Sequence, residues 1–184
     1  MKTKLIDQEI KYEGWQLSPH WIYKNFKIQG DSTVAFLGEC EVKLTEMVDI
    51  EDVINNEPIY SKSMLSFISE QFNVGLVEGV FRQRLLICTI KEALERRGIH
   101  PVRSGDDLYV DGKKLTVSIA TKSLTSILIH TGINIDSTGA PVKACGLTND
   151  LGITDIKELA EEILKNYSEE IDDIIMASTK VRGV

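Results

Sequence analysis

Cysteine is scarce in this chain: only Cys40, Cys88 and Cys145 occur, and no two form a Cys-x-x-Cys pair. An odd count with that spacing excludes a disulfide framework and a cysteine zinc site. His20, His100 and His130 share no metal-ligand spacing either, so no metal is expected. No block of basic residues interrupts a net charge of -7. A nucleic-acid partner held through its phosphates is therefore not expected. No apolar run approaches the length of a membrane span, and MKTKLIDQEIKYEG has no signal-peptide core. Neither a membrane nor secretion is expected, and the reducing cytoplasm is the default compartment. Internal repeats, low-complexity segments and linkers are also lacking, which makes residues 1–184 most economically one domain.

What is present reads as alternating helix and strand signals. Residues 2–12 are expected to hold a short strand, ended by Gly14. Ser18-Pro19 has the form of a helix start, a capping hydroxyl followed by proline at the first helical position. That helix, Pro19 to Lys27, would bury Trp21, Ile22 and Phe26. A strand is expected over 33–43, with a bulge at Gly38 and a half-buried Cys40. Asp49 opens a short helix, IEDVINN, whose first-turn carboxylates suit the helix dipole. In SMLSFISEQF the residues Met64, Phe67, Ile68 and Phe72 recur at helical spacing, so a second helix is expected there, capped by Ser61 or Ser63. The plainest helix signal runs over 80–97. Its stripe is Leu85, Leu86, Thr89, Ile90, Ala93 and Leu94, with Cys88 at its border and Gly98 as the C-cap. Arg82, Gln83 and Arg84 would sit at its entrance. The tail predicts two helices, capped by Thr154 and Ser168, with Ile156, Leu159, Ile163 and Leu164 buried.

Between these helices lie three strand signals. HPVRS is brief, and LYVDGKKLTVSIAT is a hairpin turning at Asp111-Gly112. A two-residue turn sets Val110 opposite Lys113, Tyr109 opposite Lys114 and Leu108 opposite Leu115. Alternation then sends Leu108, Val110, Leu115, Val117 and Ile119 to one face, and Asp107, Tyr109, Lys114, Thr116 and Ser118 to the other. The strand SILIHTGINI would present Ile127, Ile129, Thr131 and Ile133 on one side and Leu128, His130, Gly132 and Asn134 on the other.

The order helix, VRSGDDLYVDGKKL, strand, ILIHTGINID resembles the core of biotin–protein ligases, lipoate–protein ligases and octanoyl transferases. Asp106-Asp107 stands where the biotin ligases have Asn-Asp, Lys114 falls on their essential lysine, and Gly132-Ile133-Asn134 falls on the glycine and asparagine of their last strand. Octanoyl transferases place an acyl-carrying Cys-Gly after that strand, and this chain has Ala144-Cys145-Gly146-Leu147 followed by Gly152-Ile153-Thr154. The whole chain also is similar to a small uncharacterised prokaryotic family, domain of unknown function 366. The arginine- and glycine-rich adenylate loop of the ligases and the Gly-Gly…His-Gly-Pro-Gly-Gln loop of the transferases have no counterpart in residues 1–80. The fold the resemblance implies is α+β, a mixed and mainly antiparallel β-sheet flanked by helices, of the class II aminoacyl-tRNA synthetase and biotin–lipoate ligase type.

The chemistry this implies is acyl transfer. A thiol with an ordinary pKa of roughly 8.5 needs a nearby cation to persist as thiolate. Lys114 would activate Cys145, which would take an acyl group from acyl-CoA or an acyl-carrier protein, with amides near Gly146 as an oxyanion hole. Asp106, Asp107, Tyr109, Thr116, Ser118, His130, Gly132, Asn134 and Gly146 would line the substrate, His130 in a supporting place. Two alternatives stand beside it. One is an ATP-dependent biotin- or lipoate-type ligase in which Lys114 contacts an acyl-adenylate and Cys145 is incidental. The other is a non-catalytic module for a small acid or a partner protein. No resident cofactor is expected, and the oligomeric state stays open, a homodimer included. The bland reading is an exposed hairpin lysine and a buried loop thiol; hydrogen-bonding reach between Lys114 and Cys145 is the condition on which the transfer reading rests.

Overall fold

The computed structural model describes residues 1–184. Its main sheet has five strands: β1 (Lys2–Leu5), β2 (Ser32–Val42), β3 (Ile59–Phe72), β7 (Thr116–Lys122) and β8 (Ser126–Asp136), in the order β1-β2-β3-β8-β7. Only β1 and β2 pair in parallel; every other pairing is antiparallel. A separate small sheet holds β4 (Val102–Ser104), β5 (Asp107–Val110) and β6 (Lys113–Lys114). The helices are α1 (Trp21–Phe26), α2 (Ile50–Asn55), α3 (Leu76–Glu95) and α4 (Ile156–Thr179), with one 3-10 turn at Leu44–Glu46.

Both faces of the main sheet are covered. Ala35, Leu65, Phe67 and Ile133 pack with Leu86, Ile90 and Leu94 of α3 and with Leu159, Ile163 and Tyr167 of α4. Val34, Phe36, Met64 and Ile68 pack on the other face with Trp21 and Ile22 of α1. This explains the largest departure from expectation. The segment 63–72, expected to be a helix, forms most of the central strand β3 and ends with it. A strand buried on both faces loses its alternation, and here buried Ser66, Ser69, Glu70 and Gln71 leave the apolar residues at helix-like spacing.

The tail departs in a second way. Instead of two capped helices, α4 runs unbroken for 24 residues. Neither Thr154 nor Ser168 caps it; the Ser168 hydroxyl turns inward and donates to the Met1 carbonyl at 2.7 Å, so the hydroxyl is satisfied without ending the helix. The expected stripe of Ile156, Leu159, Ile163 and Leu164 is buried. At α1, His20 in a left-handed conformation precedes the helix and Ser18 contributes its carbonyl rather than its hydroxyl, accepting from Trp21 N–H. Because α3 starts at Leu76, residues 82–84 lie within it and not at its entrance. Gly98 does close it: Gly98 N–H reaches the Glu95 carbonyl, and Ile99 N–H the Leu94 carbonyl, with Gly98 at φ 78°.

The hairpin register is the expected one. Tyr109 pairs with Lys114, Val110 with Lys113, and Leu115 N–H donates to the Leu108 carbonyl at 2.8 Å. The turn residues Asp111 and Gly112 both have positive φ, as a two-residue hairpin turn requires. The bulge at Gly38 is also present, where the register with β3 shifts between Gly38 and Cys40.

Candidate functional site

At Leu115 the chain leaves the small sheet and enters the main one as β7. That switch overturns the expected sharing of faces. Lys114 and the β7 residues Val117, Ser118 and Ile119 line one cleft, of about 250 Å3. Thr116, expected beside Lys114, is instead fully buried, and its hydroxyl accepts the Leu108 N–H at 2.8 Å. Tyr109 pairs with Lys114 across the hairpin but does not line the cleft. Gly132 is covered by Met64, whose sulfur would lie 2.2 Å from an added Cβ.

Lys114 stands at a junction. It lines both this cleft and a smaller one, about 60 Å3, walled by Pro58, Tyr60, Asn134, Pro141 and Val142. Its ammonium contacts Asp107 Oδ2 at 2.8 Å. Burial, the largest single influence, opposes its charge, but Asp107 together with Tyr109 and Asp52 outweighs it and the net shift of Lys114 is upward. Lys114 is thus cationic at neutral pH. For Asp107 the balance falls the other way: burial raises its carboxyl and Lys114 offsets this only in part, with Asp106 adding repulsion. Asp106 is in turn held by Gln83, whose side-chain amide donates to Asp106 Oδ2 at 2.7 Å and to the Ser118 hydroxyl at 3.0 Å. Asn134 donates to the Lys114 carbonyl at 3.4 Å, fixing the backbone from which the lysine projects.

His130 is 3% exposed and stacks on Tyr12 with ring centroids 3.7 Å apart. Its Nε2 lies 3.3 Å from the Ser66 hydroxyl. Burial alone pushes it down to about 3, so it is a neutral imidazole in the cleft wall. The remaining walls come from a part of the chain with no recognisable signature: Tyr12, Leu17, Val42, Met47 and Ile59, with Glu46, Asp49, Glu51 and Asp52. These acids, with Asp106 and Asp107, surround one ammonium. For Asp52, burial and then Asp49 raise the carboxyl above its ordinary range. No group of three His, Cys, Asp or Glu side chains converges closely enough to hold a metal ion.

Cys145 lies elsewhere. Its backbone is next to Lys114, since Cys145 N–H donates to the Lys114 carbonyl and Lys114 N–H to the Lys143 carbonyl. The side chain, however, turns into the core with Leu108, Leu115 and Leu147; it is 1% exposed and lines neither cleft. Sγ sits 3.7 Å from the Lys113 carbonyl oxygen. Burial and then Asp150 raise the thiol, and the cation that counters them is Lys113, not Lys114. Gly146 N–H is occupied, donating to Asp150 Oδ2 at 2.9 Å. The structure therefore brings Lys114, Asp106, Asp107, Ser118 and His130 together, adds Asn134 from behind, and leaves Thr116, Gly132, Cys145 and Gly146 outside.

The family described as Domain of unknown function (DUF366) matches residues 1–182. The chain belongs to that family. The uncharacterized protein MJ0805 of Methanocaldococcus jannaschii is 42% identical over 180 residues, 95% of this chain and 81% of that protein. A solved protein of unknown function from Pyrococcus horikoshi superposes with a TM-score of 0.93 at 41% identity, covering 100% of this chain and 99% of that one. A mutant biotin protein ligase from Aquifex aeolicus, in complex with biotin, gives 0.62 at 17% identity over 94% of this chain and 70% of that one. A lipoate-protein ligase A bound with ATP gives 0.54 at 14% identity, over 94% and 86%. At these identities the likeness to the ligases is one of fold: α+β with a mainly antiparallel sheet, class II synthetase-like. No helix is long and apolar enough to cross a membrane.

Proposed function

We propose that the Lys114 cleft catalyses transfer of a small acyl group to an amine. The observation that carries this reading is a single ammonium, Lys114, held against Asp107 at 2.8 Å between two clefts of mixed apolar and polar lining and rimmed by carboxylates. An uncharged acyl tail suits Val42, Met47, Ile59 and Val117. Lys114 would face the acyl oxygen, where negative charge grows as an amine nitrogen attacks the carbonyl carbon. The acidic rim attracts a cationic amine, and Asp52 or Asp107, each raised by burial, suits the role of proton acceptor. The ammonium first gives one proton to the carboxylate; the amine nitrogen then forms the new C–N bond as the thioester C–S bond breaks, a second amine proton passes to the departing sulfur, which leaves as the free thiol, and the carboxylate returns its proton to solvent.

Solved structures of this fold bind biotin and ATP, and a T. acidophilum structure holds lipoic acid, which supports a small acid as the acyl source. Two donors are open: a thioester such as acyl-CoA or an acyl-carrier protein, and an acid activated with ATP. The acidic rim repels phosphates, those of CoA as well as those of ATP, and so favours an uncharged acyl-pantetheine arm over either. A route through a Cys145 thioester requires the thiol to leave the core first.

The test is product analysis. S-octanoyl pantetheine is given to the protein with Nα-acetyl-lysine amide, and octanoate with magnesium and ATP in a parallel arm. Amide product is expected with the thioester, falling about 100-fold in Lys114→Met, a loss typical of removing one oxyanion partner. An octanoyl mass increase on Cys145 would move the reaction to the thiol. No product from either donor would overturn the proposal.

A further inference from the structure

A third cleft, about 330 Å3, opens beside the start of β2, away from Lys114. His20, Tyr23, Ile28, Gln29, Glu70 and Phe72 line it. Its size falls in the range of small-molecule sites. Glu70 is 2% exposed and forms no salt bridge. All its bonds are accepted: His20 N–H at 2.9 and 3.0 Å from its two oxygens, and the Ser126 hydroxyl at 2.7 Å from Oε1. A carboxylate offers about four lone-pair sites, so Oε2 keeps one free. The ammonium of Lys2, on the same row of the sheet, does not neutralise it; that group donates to the Gln29 carbonyl at 2.8 Å.

A buried carboxylate without a counter-ion is costly, and a cation entering the cleft would relieve that cost. The walls suit a cation too. The His20 and Phe72 rings meet edge to face at 5.8 Å, and Tyr23 presents a half-exposed ring. Aromatic faces attract ammonium and cover an apolar stem.

We infer that this cleft binds a primary organic ammonium ion, whose N–H bonds to Glu70 and whose stem lies against Tyr23 and Phe72. The inference is independent of the Lys114 reading. It is tested by titrating 2-phenylethylammonium into the full-length protein and following the amide resonances of His20, Gly30 and Phe72. The uncharged 2-phenylethanol serves as control, and Glu70→Gln and Tyr23→Ala as variants, each checked by a thermal melt. Saturable shifts with the ammonium alone are expected, with affinity lower by about tenfold or more in Glu70→Gln, as for loss of a charged hydrogen bond. Absence of saturation, equal binding of the alcohol, or wild-type affinity in Glu70→Gln would overturn it. Should Glu70→Gln fail to fold, the alcohol and Tyr23→Ala, in which affinity must fall, decide the matter.

Discussion

At His130 the environment overrides the ordinary titration of the side chain. In the unfolded chain its imidazole titrates near 6.5, whereas in the fold burial holds it down to about 3. A depressed native pKa means the unfolded state binds the extra proton first. Stability from this group is therefore complete above about pH 6.5 and is lost as pH falls toward 3, at about 1.4 kcal/mol per pH unit. His130→Phe keeps a ring to stack on Tyr12 and removes the titration. Denaturant melts between pH 4 and 6 should show a stability slope shallower by about one proton in that variant. Thiols give a second residue-scale prediction. Cys40 is buried and pushed up to about 12, and Cys145 is buried and raised as well, while Cys88 is half-exposed. A disulfide reagent at neutral pH should label Cys88 first, with Cys40 and Cys145 reacting only on unfolding. Prompt labelling of Cys145 would show that its loop opens.

Elements were legible in the sequence wherever one force dominated locally. The Asp111-Gly112 turn dictates the register of the hairpin, and it placed Lys114 opposite Tyr109 with no help from the rest of the fold. The stripe of α3 and the glycine beyond it marked that helix in the same way. β3 was not legible as a strand because burial on both faces erases the alternation that a strand is recognised by. Ser168 misled for a related reason, since its hydroxyl serves the Met1 carbonyl and leaves α4 intact. The bulge of β2 carries the element-scale prediction. A Cβ at Gly38 would meet the Ile10 carbonyl oxygen at 2.2 Å, and that neighbour is backbone. Gly38→Ala should therefore cost about 1–3 kcal/mol. That corresponds to a lower melting temperature by several degrees, at about 2–4 °C per kcal/mol in a domain of this size.

Across the whole molecule, the site is assembled from distant segments. Lys114 and Asp107 come from the hairpin, His130 from β8, and most of the rim from residues 42–59. The hairpin half was legible because it carries turn chemistry and a familiar lysine. The rim was not, because Asp49, Glu51 and Asp52 read only as the cap and first-turn carboxylates of a short helix, and Glu46 carried no signal at all. Cys145 shows the converse: its backbone bonds to that of Lys114, but the residue bridged to Lys114 is Ala144, and Cys145, one position further along, faces the opposite side. The acidic rim and the net charge of -7 predict that a cationic amine acceptor is drawn in by long-range attraction. Its KM should rise with salt over the range in which the Debye length shortens from about 30 to about 8 Å.

The most direct test of Lys114 as the centre of the site is calorimetric titration of S-octanoyl pantetheine into wild type and Lys114→Met. The wild type should bind saturably, and the variant, folded by its melt, should bind more weakly by about tenfold or more, the loss of a charge-assisted hydrogen bond. Equal affinity in the two proteins, or no binding to a folded wild type, would contradict the account.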